Sequence, residues 1–310
     1  MNSNPILIIP GEVKSIFFEI FFKSLKLKRY KSPLVLLCNK KILYKEINKL
    51  KFKKNIKEIN KKEVIKKKLK NNKIYFIDIA NENPDIYVKK SFEYAFHLLN
   101  KGFTNKLLNG PINKAETLKK SYIGVTEYIA HSFNKKKYAM LIYNKNLSVC
   151  PVTTHLPLKL VSKKINKKMI KEKILIVDNF FKKVLRIKPK IAVTGLNPHC
   201  ESILKFNEDN KIILPLIKSL KNKVNIKGPY PSDTIFLKNN RKKFDVIIGM
   251  YHDQVLGPIK TLYEYDAINI TLGLPFLRVT PDHGPNIQMI GKNLSNPISL
   301  IKALSFLDKR

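Results

Sequence analysis

The sequence predicts an α/β protein, and three observations support that fold class. Short apolar runs typical of buried strands alternate along the 310 residues with longer segments that have helical periodicity. No internal repeat occurs, and no long glycine- or serine-rich linker interrupts the alternation. The length also suffices for one large or two medium domains with a substantial apolar core.

The individual elements follow from these two patterns. The strand-like apolar runs are residues 6–9, 34–37, 74–77, 106–108, 140–143, 147–152, 191–194, 246–249 and 268–271. The helix-like segments are residues 13–27, 91–99, 126–133, 158–185, 233–237 and 298–307. Segment 49–73 is very basic and poorly patterned, so we expect a surface excursion there. A short domain boundary is expected around 115–124.

The formal net charge of +37, from 60 Lys and Arg against 23 Asp and Glu, first suggests a nucleic-acid partner. Nearly all of these cations are lysines, however, and Asn and Ile are also abundant, which is typical of drift in an AT-rich genome. The lysines lie mostly in helix-like and loop segments such as 61–70 and 163–173, without any zinc-finger, RNP or basic-zipper pattern. We therefore expect no specific nucleic-acid partner and only weak nonspecific binding at low salt.

Composition also limits the compartment and the cofactor mode. No apolar stretch reaches the length of a membrane span, and residues 1–5 lack the pattern of a signal peptide, so a cytoplasmic protein without membrane contact is expected. The three cysteines show no CxxC spacing, which fits a reducing compartment. With 11 glycines, neither GxGxxG nor GxxxxGK[ST] occurs. Any nucleotide cofactor must therefore bind without the Rossmann or P-loop glycine fingerprint.

Three histidines each follow a strand-like run and stand among polar residues: His155, His199 and His252. Strand ends are where open α/β sheets assemble ligand sites. Three neutral imidazoles can hold a divalent metal and leave positions open for substrate, with Zn, Co or Fe favoured over Mg or Mn. The pattern predicts a metal site, and the structural alternative for each histidine taken singly is a packed or capping role. Cys200 beside His199 is interpreted as a small buried spacer in preference to a soft metal ligand.

Other polar residues have a functional and a structural interpretation. Asp233 fits an oxygen ligand or a group that orients a histidine, and it fits equally a helix N-terminus capped by Ser232. His97 and His131 lie in helical patterns, which indicates packing or surface roles. The binding candidates are Arg278, whose guanidinium suits phosphate or carboxylate; Lys260, which suits phosphate binding or acid/base work; and Thr126, which opens a helix and can bind an anion. The structural alternative for Arg278 and Lys260 is a surface charge.

Taken together, these motifs resemble the NAD-dependent 4-hydroxythreonine-4-phosphate dehydrogenases of vitamin B6 synthesis, from Pro10 to the last predicted helix. The segments that carry the resemblance, in the family's order, are residues 109–114, 152–158, 195–199, 228–234, 251–254 and 269–275. The resemblance implies two α/β/α domains of the isocitrate and isopropylmalate dehydrogenase type, with the active site in the cleft between them. The implied domains are 1–120 with 285–310, and 121–284, the latter carrying the metal ligands and a homodimer interface.

The resemblance also implies residue roles. His155, His199 and His252 match the family's ligands to one divalent metal per active site (Zn, Mg or Co), shared across the dimer. The positions matching the substrate site are Thr126, Lys260, Asn269 and Arg278. The segment 282–291, with His283, Gly284 and Gly291, looks like the loop that meets the adenosine of NAD or NADP. No catalytic proton acceptor is assigned; Lys260 and Asp253 are the candidates.

The implied reaction oxidises 4-phosphooxy-L-threonine, a small phosphorylated amino acid, to 2-amino-3-oxo-4-phosphooxybutanoate. This β-keto acid then loses carbon dioxide to give 3-amino-2-oxopropyl phosphate, on the route to pyridoxal 5'-phosphate. Two alternatives remain open: a related dehydrogenase of another phosphorylated hydroxy acid such as threonate 4-phosphate, and a noncatalytic homologue whose site has decayed.

Three positions depart from the family pattern. Val125 stands where the family has a histidine before the substrate threonine, and a valine cannot donate a hydrogen bond to phosphate or carboxylate. Residues 11–17 have lost two glycines and a proline of the N-terminal pattern. Gln288 replaces an acidic residue in the expected adenosine loop. We therefore expect activity with weakened affinity for substrate or cofactor.

Overall fold

The computed structural model of the protein describes residues 3–80, 83–112, 122, 124–201, 206–282 and 284–310. The chain forms two compact units, residues 1–129 with 275–310, and residues 130–274. None of the described helices is both long enough and apolar enough to cross a membrane.

Strands and helices alternate along the described chain, as the α/β fold class requires. The strands are Ile6–Ile9 (β1), Leu34–Cys38 (β2), Ile56–Glu58 (β3), Ile74–Asp78 (β4), Lys106–Asn109 (β5), Ala139–Tyr143 (β6), Ser148–Pro151 (β7), Ile191–Thr194 (β8), Ile226–Tyr230 (β9), Val246–Gly249 (β10), Ile268–Leu272 (β11) and Leu277–Pro281 (β12). The α-helices are Phe17–Leu27, Lys40–Lys49, Pro84–Asn100, Val125–Ser132, Val161–Lys164, Lys167–Phe180, Leu214–Leu220, Ser232–Ile235, Lys238–Arg241, His252–Tyr263 and Ile298–Asp308.

The first unit contains a parallel sheet with the strand order β3-β4-β2-β1-β5-β12. Strands β1, β2 and β5 are buried along their whole length. β1 and β2 accordingly appear in the sequence as continuous apolar runs, whereas β5 has Lys106 and Asn109 at its two ends. Because the strands are parallel, β1 and β5 end at the same edge. There Gly110 N donates to Ile9 O at 2.8 Å, and Glu12 N donates to Pro111 O at 2.9 Å. The two strand ends are therefore joined backbone to backbone.

The second unit contains a mixed sheet with the order β11-β6-β7-β10-β8-β9. The pairs β11·β6 and β6·β7 are antiparallel, whereas β7·β10, β10·β8 and β8·β9 are parallel. Apolar side chains such as Val149, Ile247 and Val255 form its core. Strands β7, β10 and β8 are adjacent and parallel, so the segments that follow them leave one edge of the sheet.

Several predicted boundaries require correction. Segment 158–185 is not one helix: a 3₁₀ turn at Leu158–Leu160 leads to Val161–Lys164, and Lys167–Phe180 begins anew where Asn166 Oδ1 accepts from Met169 N at 3.0 Å. The basic segment 49–73 is not wholly a surface excursion, because it contains the edge strand β3. That strand buries only Ile56, so no apolar run marks it in the sequence.

The unit boundaries also differ from the expected ones at 120/121 and 284/285. They lie at 129/130 and 274/275, because β12 pairs with β5 and therefore belongs to the first unit together with Arg278. The expected boundary segment 115–124 lies mostly outside the described residues.

Candidate functional site

The three histidines singled out in the sequence follow the three adjacent parallel strands of the second unit. His155 follows β7, His252 follows β10, and His199 follows β8. The rings of His155 and His252 have centroids 6.0 Å apart. His155 and His199 are exposed and His252 is half-buried. The sheet order therefore places three residues that are distant in sequence at one edge.

The orientation of His252 suits metal coordination. The residue opens the helix His252–Tyr263, and its Nδ1 lies 2.6 Å from Oδ1 of Asp253. When Nδ1–H donates to this carboxylate, Nε2 carries the lone pair that a metal requires. Asp253, considered from sequence as a proton acceptor, is thus in contact with an imidazole.

Hydrogen bonds tie the segment that carries His155 to the one that carries His252. Val152 N donates to Gly249 O at 2.7 Å, and Thr153 Oγ1 donates to Met250 O at 2.8 Å. Thr153 is buried, so these bonds are shielded from water. The parallel pairing of β7 and β10 thereby continues beyond the strands and limits the separation of the two histidines.

Gln254 joins the ends of β10 and β8 through three hydrogen bonds of its side chain. Its Oε1 accepts from Met250 N at 2.6 Å and from Thr194 Oγ1 at 2.9 Å, and its Nε2 donates to Gly195 O at 2.7 Å. Gln254 is 7 % exposed and Thr194 is fully buried. In the sequence, Gln254 stands only as the last residue of segment 251–254, and no sequence pattern predicts this role.

The segment that carries His199 is held by a buried carboxylate. Asp209 is 0 % exposed and accepts from Leu196 N at 2.7 Å and from both Asn197 N and Nδ2, at 3.0 and 2.7 Å. A Cβ at Gly195 would lie 2.7 Å from Asp209 Oδ1, so a glycine is needed for this approach. His199 itself has φ of 55°. Sequence reasoning missed Asp209, because no motif links it to the histidine.

Among the residues that the structure describes, no three His, Cys, Asp or Glu side chains form a group that could hold a metal ion. The single chain thus brings His155 and His252 together and leaves His199 at the same edge without closing a three-ligand cluster. Burial, together with the charge of Asp209, raises the pKa of the Cys200 thiol to about 11. Cys200 is half-buried, so it is not the fully buried spacer that the sequence suggested.

Asp233 is exposed in the first turn of the helix Ser232–Ile235. The expectation that Ser232 caps this helix was wrong, because Pro231 occupies the N-cap and Ser232 is already helical. The Asp233 charge acts on the Cys200 thiol, which places the carboxylate near the segment that carries His199.

Two of the expected substrate residues lie in the second unit. Lys260 is half-buried in the last turn of the helix His252–Tyr263, so it is not a fully exposed surface charge. Asn269 lies on β11, and its buried Oδ1 accepts no hydrogen bond within the described part of the chain. A buried acceptor without a donor is unfavourable, so this atom is suited to receive a donor from a ligand.

The other two expected substrate residues meet in the first unit. Arg278 is 3 % exposed on β12, its Nε donates to Asn109 Oδ1 at 2.9 Å, and its Nη1 donates to Thr126 Oγ1 at 3.1 Å. Burial lowers the pKa of the Arg278 guanidinium to about 10, against the opposing charge of Glu127, so the group remains a cation at neutral pH. Arg278 is a buried, hydrogen-bonded cation, which rules out the surface-charge interpretation.

The expected adenosine loop is described in part. Gly284 is exposed, and Gly291 has φ of +83°, a conformation that side chains rarely adopt. Gln288 is exposed and Ile287 is 60 % exposed, so the loop offers apolar surface to a ligand. His283 lies outside the described residues.

Comparisons with known proteins agree with the resemblance. The family model described as pyridoxal phosphate biosynthetic protein PdxA matches residues 29–307. The 4-hydroxythreonine-4-phosphate dehydrogenase of Sulfurihydrogenibium sp. (strain YO3AOP1) is 37 % identical over 318 residues, covering 98 % of each chain. A D-threonate 4-phosphate dehydrogenase from Pectobacterium atrosepticum is 36 % identical over 204 residues, covering 64 % of this chain and 62 % of the relative.

Solved structures show the same fold. The crystal structure of 4-hydroxythreonine-4-phosphate dehydrogenase from Klebsiella pneumoniae matches with a TM-score of 0.83 and 28 % identity, over 98 % of this chain and 97 % of that one. Isocitrate dehydrogenase from Methylococcus capsulatus matches with a TM-score of 0.51 and 12 % identity, over 98 % and 85 % of the two chains. The latter likeness concerns the fold alone, and it confirms the fold type that the resemblance implied.

Proposed function

The chain belongs to the PdxA family of pyridoxal phosphate biosynthetic proteins, and from that membership we propose that it is a 4-hydroxythreonine-4-phosphate dehydrogenase that requires NAD (or NADP) and a divalent metal. The observation that carries the proposal is the contact between Arg278 and Thr126, two expected substrate positions 152 residues apart in sequence. A buried cation beside a helix N-terminus is suited to a phosphate or carboxylate group.

The donor set fits a divalent metal such as Zn, Mg or Co. His155 and His252 lie close together, and Asp253 orients His252. His199 lies in the segment that follows β8, at the same edge of the sheet. Imidazole nitrogen is a ligand that Zn and Co favour. We propose that these three histidines hold the ion and that a second copy of the chain in a homodimer completes the site. When bound, the ion would supply Lewis acidity that makes the substrate hydroxyl easier to deprotonate.

We assign the protein's own groups to binding and proton transfer. Arg278 and Thr126 bind an anionic group of the substrate, and Asn269 supplies the acceptor for one of its N–H or O–H groups. Because Asp253 is in contact with His252, its proposed role is to orient that imidazole. Lys260 remains the candidate proton acceptor for the hydroxyl. The loop 284–291 is the proposed adenosine site, with Gly284 and Gly291 allowing close approach.

The reaction balances as an oxidation followed by a decarboxylation. When bound, the nicotinamide would accept the hydride of the carbinol carbon while the hydroxyl gives up a proton, which would yield a ketone beta to the carboxylate. The β-keto acid would then lose carbon dioxide, and the resulting enolate would take up a proton at C2 to give 3-amino-2-oxopropyl phosphate. This product chemistry corresponds to the pyridoxal phosphate role that the family description names.

A second candidate acts on threonate 4-phosphate, and the similarity to the Pectobacterium atrosepticum enzyme supports it. The two substrates differ in the group at C2, which is an amine in one and a hydroxyl in the other. Val125, without a hydrogen-bond donor at the expected histidine position, also leaves this candidate open. The buried Arg278 with intact partners argues against a decayed noncatalytic homologue.

The test measures NADH or NADPH formation by the purified protein with each phosphorylated substrate. The protein is first stripped with chelator and then supplied with Zn, Mg or Co separately. We expect turnover that depends on added metal and is fastest with 4-phosphooxy-L-threonine. Faster turnover of threonate 4-phosphate would establish the second candidate function. Absence of turnover with both substrates would contradict both proposals.

A further inference from the structure

Asn109 contacts the side chain of Arg278 because of the strand register. Arg278 on β12 is paired with Leu107 on β5, and the strands are parallel. Asn109 lies two residues beyond Leu107 and therefore on the same face of β5. The guanidinium extends toward the carboxyl end of the strands, where its Nε donates to Asn109 Oδ1 at 2.9 Å.

The Asn109 side chain is itself held in one orientation. It is 2 % exposed, and its Nδ2 donates to Gly110 O at 2.8 Å. A Cβ at Gly110 would lie 2.1 Å from Pro10 O, so the backbone segments after β5 and β1 are in direct contact. Because Nδ2 needs a carbonyl acceptor, the amide cannot turn over without losing both bonds. Oδ1 therefore faces Nε of Arg278 in a fixed direction.

We propose that Asn109 is a positioning residue, which holds the guanidinium of Arg278 in the orientation that binds the substrate's anionic group. Asn109 fixes the Nε edge and Thr126 contacts Nη1, so the two bonds together determine the guanidinium plane. As a neutral acceptor, Asn109 does this without offsetting the positive charge, whereas a carboxylate in its place would compete with the substrate anion. This inference rests on the proposed function, because it deepens the role of Arg278 in anion binding.

The first test replaces Asn109 by alanine in the full-length, metal-loaded protein. We expect KM for the phosphorylated substrate and Kd for inorganic phosphate to rise roughly ten-fold, the effect of one charge-assisted hydrogen bond. The value of kcat should change by less than about two-fold, because the reacting atoms are untouched. Asn144 offers a matched control: it is 5 % exposed, and its side chain bonds Asp266 O and Asn146 N. Asn144→Ala should leave KM for the phosphorylated substrate and Kd for inorganic phosphate unchanged.

A double-mutant cycle separates positioning from general structural support. Arg278→Lys removes the Nε–H that Asn109 accepts, so adding Asn109→Ala to that variant should change the phosphate Kd by less than about two-fold. An equally large effect of Asn109→Ala in both backgrounds would overturn the proposal, as would an unchanged Kd and KM in the single variant. A fall in kcat without a change in KM in the Asn109→Ala variant would assign Asn109 another role. That result would also overturn the proposal.

If Asn109→Ala fails to fold, Asn109→Asp carries the test, because it keeps an acceptor facing Nε. We expect a higher phosphate Kd, since the added negative charge offsets the guanidinium. A phosphate Kd equal to that of the unmodified protein would overturn the proposal. The outcomes remain distinguishable from failure of the proposed function, in which the unmodified protein itself would neither bind phosphate nor oxidise a phosphorylated substrate.

Discussion

The environment of Arg278 in the first unit and the histidine edge of the second unit differ in how completely one chain builds them. Arg278 is 3 % exposed and hydrogen-bonded to Asn109 and Thr126. The segments that carry the histidines are held by hydrogen bonds at one edge of the sheet. His155 and His199 are nevertheless exposed, and no three potential ligands in the described chain form a group that could hold a metal ion. The first environment is preorganised, whereas the second has firmly held supporting residues but no closed three-ligand group within the described chain.

This difference has a physical origin. A buried cation must be hydrogen-bonded in the folded chain, because leaving it without partners costs several kcal/mol, roughly as much as a large core mutation. An exposed imidazole can bond to water, so folding does not require it to be enclosed by protein groups before a metal binds. The support around the histidines therefore comes from buried groups, Asp209 and Gln254, whose own hydrogen bonds are obligatory.

The largest expected effect tests the preorganised side of this comparison. Arg278→Met should lower kcat/KM for the phosphorylated substrate by about 30-fold to several thousand-fold, corresponding to about 2–5 kcal/mol for a buried charged contact. It also leaves Asn109 Oδ1 without its donor, so the free energy of unfolding should fall by about 1–3 kcal/mol in urea titrations. Arg29→Met is the control, because Arg29 is exposed. Unchanged kinetics in Arg278→Met would remove the arginine from the site.

The next effect tests the histidine edge. Alanine at His155, His199 or His252 should each weaken metal binding by more than about 100-fold, beyond the range typical of residues that only orient a ligand. The unfolding free energy of the metal-free protein should change by about 0.5 kcal/mol or less for the exposed His155 and His199. Isothermal titration with Zn and Co measures the first quantity. His97→Ala and His131→Ala are exposed controls that should bind metal normally. Unimpaired binding by His199→Ala would reduce the site to two histidines.

The smallest expected effect concerns Asp209, which supports the segment that carries His199. Asp209→Asn places an amide against three N–H donors, so at least one of these hydrogen bonds is lost. The segment that carries His199 should then no longer be held in a single backbone conformation. We expect metal affinity to fall about 10- to 100-fold and stability by about 1–3 kcal/mol. Asp245→Asn is the matched control, because Asp245 Oδ2 accepts from Lys190 N at 2.7 Å before β10 begins. Equal losses of metal affinity in both variants would show that Asp209 acts only through general stability.

Much of the fold could be predicted because buried parallel strands are continuous apolar runs. Strands β1, β8 and β10 have the predicted bounds at both ends. Strands β3, β9 and β12 were missed for particular reasons. β3 buries one residue, β9 contains Gly228 and Pro229, and β12 carries Arg278 within its run. Each lacks the uninterrupted apolar pattern that identifies a strand without its neighbours.

For the candidate site, the sequence pointed to possible ligands but not to the residues that support them. Residue types at strand ends predicted a metal site at His155, His199 and His252, and residue types also made Thr126 and Arg278 binding candidates, to which the resemblance gave a substrate role. The supporting residues were missed, because their importance lies in a partner: Asn109 and Arg278 are 169 positions apart, and Asp209 supports a segment through its backbone. No local pattern encodes such pairs.

The sequence by itself determined the α/β class and the family, and it supplied the candidate residues for metal and phosphate binding, because these inferences depend on local patterning and on side-chain chemistry. The tertiary structure alone decided that β12 lies beside β5, that β7, β10 and β8 share an edge, and that Arg278 is buried against a neutral amide. Strand order and register arise from packing between distant segments, and they set which groups lose water together. That loss of water is what turns an ordinary arginine into a fixed, hydrogen-bonded cation.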